Sequence, residues 1–267
     1  MSDGSNFTLG PGAVDLALNG GLARGRLHEV YAGAADDGAS ASGFAAMLAS
    51  RACGAQDAVF WLRHERGEKL GGGLQASGLL ELGLDPGRIL FVMAPDVDAL
   101  LRAAVDAVRC GGLGAVVIEG WGKMPKLDLT ASRRMKLAAE RSGVTTILLR
   151  IDGEPVASAA ETRWSVTSAP SSALEANAPG RPAFDIILLR RRAGPAGLTA
   201  RLEWNRDELI FETPFGGARQ PQPEYQPEYQ SEYQSEYPAR YPAEYKEMPR
   251  LMVPLSIDRQ GAKRAAA

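Results

Sequence analysis

The chain has 267 residues, a formal net charge of −2 and 45% hydrophobic residues. That length fits one large domain or one domain with a tail, the apolar share suits a folded core, and the charge excludes nucleic-acid recognition by global electrostatics, leaving only a local patch for it. Two isolated cysteines, Cys53 and Cys110, and two distant histidines, His28 and His64, argue against a disulfide framework, a histidine metal site or a triad, and fit a reducing cytoplasm.

No basic-then-apolar leader opens the chain, and no apolar run nears the ~20 residues that span a bilayer. Leu9 to Gly21 reads as a short helix stopped by Gly20-Gly21, and Leu27 to Tyr31 as a strand. A small-residue loop follows, then a helix from Ser42 to Cys53. Asp57 to Leu62 reads as a second strand, and Gly71-Gly72-Gly73 as a connection. Arg88 to Met93 is a third strand, Asp96 to Arg109 a helix with apolar residues at helical spacing, and Ala115 to Ile118 a strand ending at Glu119. A basic helix from Ser132 to Arg141 and a strand from Thr145 to Leu149 complete the alternation. Strands alternating with helices call for a mostly parallel sheet covered on both faces. Beyond Gly153 the alternation lapses, with Thr162 to Val166 as a short strand. Phe184 to Arg190 and Leu198 to Trp204 read as an antiparallel pair, and Leu209 to Glu212 closes the fold.

After Thr213 the composition changes. Pro223-Glu224-Tyr225-Gln226 recurs with variation through Tyr237, and prolines at 223, 227, 238 and 242 break any helix. This reads as a disordered, extended spacer, followed by an apolar island, Leu251 to Leu255, with the form of a short docking motif. The division expected is a flexible N-terminus at 1–8, a core domain at 9–212 and a low-complexity tail at 213–267.

The loop between the first long strand and its helix carries Gly33, Asp36, Asp37, Gly38, Ala39 and Ser40. Strand, Gly-rich loop and helix is the setting of G-x-x-x-x-G-K-[ST], whose amides and lysine hold phosphates. Gly33 and Gly38 take the glycine positions and Ser40 the hydroxyl position, but Ala39 stands where the lysine belongs. With Asp36 and Asp37 inside the loop, the local charge is three units below that of a lysine-bearing, acid-free loop. One charge near 4 Å is worth roughly 4 kcal/mol at an effective dielectric of 20, which argues against tight triphosphate binding.

Asn19 to Arg26, with Glu29-Val30-Tyr31 and this loop, resembles the approach to the nucleotide loop of RecA-type recombinases. Within that superfamily, Leu82-Gly83-Leu84-Asp85-Pro86-Gly87-Arg88, Asp128 to Arg134, Leu137-Ala138-Ala139-Glu140, Leu148-Leu149-Arg150, and Leu189 to Gly194 through Leu202-Glu203-Trp204 resemble the bacterial inducible mutagenesis protein A (ImuA) family. The resemblance spans the folded part and leaves out the tail.

It implies a RecA-like α/β core and a non-catalytic accessory role, without cofactor or metal, in SOS-induced mutagenic translesion synthesis. The implied partners are the Y-family-like polymerase homologue ImuB, an error-prone C-family DNA polymerase and RecA, with DNA as a further contact and no membrane. The implied place is the cytoplasm, on the nucleoid when engaged. A RecA recombinase would have aspartate where Glu119 stands and a catalytic glutamate after the second strand, where this chain offers Arg63-His64-Glu65 with Glu65 one position out of register. Only eight residues precede Leu9, which leaves no expected room for RecA's polymerisation arm.

Glu119 is open to two readings, a weak hold on a water-bound magnesium or, as the structural expectation, a strand cap that answers Arg26 or Lys123; Trp121 is expected to be an exposed loop anchor. Lys123, Lys126, Arg133, Arg134 and Lys136 form a basic cluster where RecA's first DNA-contacting loop lies, a candidate for phosphate contact. Arg190 and Arg192 share one face of their strand and Arg191 takes the other. Their strand resembles the one from which RecA reaches cations into its neighbour, so Arg190, Arg192, Leu251 and Leu255 are the candidate partner contacts. A weak ATPase with an atypical loop, and an inhibitor of cell division like the RecA-like SulA proteins, stay open as alternatives.

Overall fold

The computed structural model describes residues 6–54 and 57–214; the tail beyond Pro214, with Leu251 and Leu255, lies outside them. Short strands β1 (Asn6–Phe7) and β2 (Leu22–Ala23) pair with each other and flank helix α1 (Gly12–Ala17). Strand β3 (Leu27–Ala32) leads through a 3₁₀ turn to α2 (Gly38–Ala52). Then come β4 (Ala58–His64), α3 (Glu65–Gly71), α4 (Ala76–Glu81), β5 (Ile89–Ala94) and α5 (Val97–Arg109). Strand β6 (Leu113–Trp121), helix α6 (Leu129–Ser142) and strand β7 (Thr145–Ile151) follow. The last four strands are β8 (Thr162–Ser168), β9 (Ala183–Arg191), β10 (Thr199–Asn205) and β11 (Ile210–Glu212).

Among the described residues, nine strands form one sheet in the order β11-β10-β9-β8-β3-β7-β6-β4-β5. From β8 to β5 the neighbours run parallel, whereas β8-β9, β9-β10 and β10-β11 are antiparallel. Every residue of β3 and β7 is buried, as expected for central strands covered on both faces. Alternation along the strands then divides the interior. Val30, Ala32, Val117 and Leu149 face α2, whereas Val116, Ile118 and Leu148 face α5 and α6.

Local chemistry sets the helix ends. Asp96 and Asp128 cap α5 and α6 by accepting from the amides of Ala99 at 2.7 Å and Ala131 at 2.8 Å. Gly143 ends α6 in the left-handed conformation, φ 79°. An aromatic cluster fastens the antiparallel strands to α2: Phe44 lies 5.6 Å from Phe184 and 5.1 Å from Phe211, which is 4.9 Å from Trp204.

Three sequence expectations change. Helix α2 starts at Gly38 rather than Ser42, because the 3₁₀ turn Ala35–Asp37 runs straight into it. The stretch before the triple glycine holds α3, capped by His64 Nδ1, which accepts from Arg66 N at 3.1 Å. Leu9 to Gly21 holds a shorter helix: Pro11 sits at its start, and Asn19 and Gly20 take positive φ just past its end.

Candidate functional site

The loop residues Gly33 to Ser40 sit where β3 delivers the chain to α2, at the carboxyl end of the parallel strands. That edge is where open α/β sheets place their ligands. Gly38 has ordinary right-handed helical angles, φ −58° and ψ −43°. Ala39 and Asp36 are exposed, while Asp37 turns towards β8: its Oδ1 accepts from the amide of Ser168 at 3.0 Å and the hydroxyl at 3.3 Å. Asp37 therefore ties the loop to the sheet.

Glu119 lies beside this loop and is fully buried. Its expected partners are corrected, because Arg26 pairs with Glu140 at 2.7 Å and Lys123 is exposed. Register explains the partner it does take: β4 and β6 run parallel with Arg63 opposite Glu119. Residues two apart on a strand share a face, so Trp61 and Arg63 on β4 meet Glu119 and Trp121 on β6. Arg63 Nε and Nη2 donate to Glu119 Oε1 at 2.9 and 2.7 Å, and Trp121 Nε1 donates to the same oxygen at 2.6 Å. Trp61 Nε1 donates to Oε2 at 2.8 Å. An ionised carboxylate offers about four lone-pair sites, two on each oxygen; three donors crowd Oε1 and one reaches Oε2, so both oxygens are held. Arg63 also donates to the carbonyl of Gly72, which anchors the end of α3.

Trp121, expected to be an exposed anchor, is instead half-buried and ends β6. Its indole fills the space between the start of α2 and helix α3. A Cβ at Gly38 would lie 3.2 Å from its Cη2, one at Gly67 would lie 2.7 Å from its Cδ1, and one at Gly71 would overlap its six-membered ring. Those three glycines leave room for the ring. The crevice beside the loop thus holds an indole fixed by its own N–H to a buried carboxylate. Trp61 and Arg63 were the residues missed in the sequence, and their signal was the two-residue spacing shared with Glu119 and Trp121. Glu65 is exposed at the first position of α3.

The basic cluster divides. Lys126 pairs with Asp98 at 2.6 Å and Lys136 with Glu140 at 2.9 Å. Lys123, Arg133 and Arg134 are exposed and make no ion pair among the described residues. At the end of β9, alternation separates the three arginines. Arg191 donates to the carbonyls of Ala17 and Leu18 at 2.8 and 2.7 Å. Arg190 turns to the opposite side and donates to Ser158 O at 2.8 Å. Arg190 and Arg192 there join Arg133 and Lys136 along one groove of about 490 Å³. Two expected sets thus meet in one place, although Lys123, Lys126 and Arg134 do not line it.

Behind the loop, His28 is buried between β2 and β8. Its Nε2 lies 2.9 Å from the carbonyl of Ala23, which only accepts, so Nε2 carries the proton. Its Nδ1, 2.8 Å from Thr162 Oγ1, accepts, and that hydroxyl in turn accepts from Trp164 Nε1 at 2.9 Å. Burial pushes the imidazole pKa down to about 4. Among the described residues, no group of three or more His, Cys, Asp or Glu could hold a metal ion, and no helix is long and apolar enough to cross a membrane.

No family model matches the chain. The crystal structure of the RadB recombinase superposes with a TM-score of 0.52 at 17% identity, covering 78% of this chain and 99% of that one, so the fold is RecA-like. Two proteins named ImuA, from Caulobacter vibrioides strains NA1000 and CB 15, are each 32% identical over 192 residues, covering 67% of this chain and 75% of theirs. With the RecA-like sheet and that share of aligned sequence, the chain belongs to the ImuA family.

Proposed function

We propose that this protein is a non-catalytic RecA-like accessory factor in DNA-damage-induced mutagenesis, working by contact with other proteins rather than by nucleotide turnover. The observation that carries the reading is the buried carboxylate of Glu119, paired with Arg63. Both of its oxygens are held by Arg63, Trp61 and Trp121, which makes the carboxylate the partner of a buried ion pair rather than of a metal-bound water, and the indole lies over Gly38 where phosphates would approach. The loop itself offers Ala39 in place of a lysine and two carboxylates. This is a site that has kept its frame and lost its chemistry.

The partners proposed on family kinship are the polymerase homologue ImuB, RecA, and through them an error-prone C-family polymerase. Arg190 and Arg192 are read as the face towards the terminal protomer of a RecA filament. The island at Leu251 and Leu255 is read as the motif that holds the polymerase homologue, and exposed Lys123, Arg133 and Arg134 as contacts for DNA phosphates. Co-purification with ImuB tests the central part. The wild-type chain should retain it, and Leu251→Ala with Leu255→Ala should release it while leaving the melting temperature unchanged. Equal retention by the double variant refutes the motif, and no retention by wild type refutes the partnership. In a separate titration into RecA filaments on single-stranded DNA, wild type should shorten them and Arg190→Ala with Arg192→Ala should not.

A further inference from the structure

The groove of about 490 Å³ between α6 and the end of β9 has a composition that calls for a particular ligand. It is lined by Arg133, Lys136, Arg190, Arg192, Leu129 and Leu137, with Ser158 and Ala159 as its floor. Leu129, Arg133, Lys136 and Leu137 fall at helical positions i, i+4, i+7 and i+8, one stripe of α6. Leu137 is 50% exposed, so the groove presents four cations beside open apolar surface. Lys136 is answered from outside the groove by Glu140 at 2.9 Å, which also takes Arg26 at 2.7 Å, and among the described residues no acidic side chain lines the groove itself.

Single-stranded nucleic acid is the first polyanion to weigh, but its sites stack bases on aromatic side chains, and none lines this groove. A ligand that brings its own aromatic rings together with carboxylates fits better. The chain carries such a segment. From Glu224 to Tyr237 it has four Glu-Tyr pairs at a four-residue period and no lysine or arginine. Four extended residues advance about 13 Å, and Leu129 to Leu137 spans about 12 Å along the helix axis. One Glu-Tyr pair therefore falls within each groove length, its glutamate against Arg133 and Lys136 and its tyrosine ring against Leu129 or Leu137, which flank those cations on the helix. Length permits the contact: nine residues lie between Pro214 and Glu224, and the ten steps reach about 33 Å when extended, against a radius of gyration of about 16 Å for a core of this size.

We propose that the Glu-Tyr segment 224–237 docks in cis into the groove formed by Arg133, Lys136, Arg190 and Arg192. Tethering gives a millimolar effective concentration, so a weak contact is enough. The inference holds whether or not RecA uses the same arginines.

The experiment places the photo-crosslinker benzoylphenylalanine at Tyr229 of the full chain and maps the products by mass spectrometry. Crosslinks within one chain to Leu129, Leu137 or Ala159 are expected. They should fall about tenfold in Arg133→Gln with Arg192→Gln, two surface changes that spare the Arg190 bond to Ser158. Lys123→Gln with Arg134→Gln removes the same charge outside the groove and should leave the yield unchanged. Crosslinks elsewhere on the core, crosslinks only between two chains, or groove crosslinks indifferent to the Arg133 and Arg192 changes would overturn the proposal. So would a dT oligomer bound through Arg133 and Arg192 in a chain whose tail never crosslinks to the groove, which would give the site to nucleic acid.

Discussion

Replacing Arg63 with methionine should be among the most damaging single changes to the fold. Its guanidinium is 3% exposed and the carboxylate of Glu119 is 0% exposed, with contacts at 2.7 and 2.9 Å. Methionine fills much of the same volume but leaves a buried carboxylate with only two indole N–H groups to hold it. Removing one partner of such a pair costs about 3–5 kcal/mol. For a core of roughly 200 residues each kcal/mol moves the melting temperature by about 2–4 °C, so a fall of about 6–20 °C is expected. Burial shields the pair from salt, so the loss should be the same at low and high ionic strength. The double variant Arg63→Met with Glu119→Leu removes both charges and should recover most of the loss. Urea unfolding at pH 7 with an unchanged slope is the assay. A loss under about 1 kcal/mol for the single variant, or a double variant no better than the single one, would refute the account of a buried carboxylate held by Arg63.

Two further outcomes follow from buried groups. The His28 pKa is lowered to about 4 by burial, against about 6.5 unfolded, so the unfolded chain takes up the proton first. Its contribution is fully present above pH 6.5 and fades as pH falls towards 4, a loss of roughly 3 kcal/mol. In His28→Leu the acid limb of the stability curve should flatten, and an unaltered limb would contradict the buried neutral imidazole. The Cys53 thiol is pushed up to about 11, chiefly by burial, so roughly one molecule in a thousand carries its thiolate at pH 8. Iodoacetamide should therefore label exposed Cys110 well before Cys53, as peptide mapping would show; equal rates would refute this.

The parallel sheet was legible because apolar runs of strand length alternate with helix-length amphipathic runs, and Arg190 and Arg192 were separable from Arg191 by two-residue alternation alone. Helix α3 was hidden by the glycines at 67, 71, 72 and 73, which read as a connection although Gly67 and Gly71 make room for Trp121. The ion pair at the centre of the site was hidden for another reason. Arg63 and Glu119 are 56 residues apart, and only the register of two parallel strands brings them opposite. Charge runs also mislead locally: Lys126 and Lys136 belong to one basic cluster in sequence but are spent on Asp98 and Glu140 in the fold. The cations that converge come from segments more than fifty residues apart, Arg133 and Lys136 from α6 and Arg190 and Arg192 from the end of β9.

The central claim is that the frame of a nucleotide site survives here without its chemistry, and titration of MgATP into the full chain tests it most directly. With a dissociation constant of about 10 mM or weaker, 1 mM ATP stabilises the fold by less than about 0.1 kcal/mol, so thermal unfolding should not move and calorimetry should record only heats of dilution. A rise of several degrees, or a binding isotherm below about 1 mM that Ser40→Ala abolishes, would show a working loop and contradict the account.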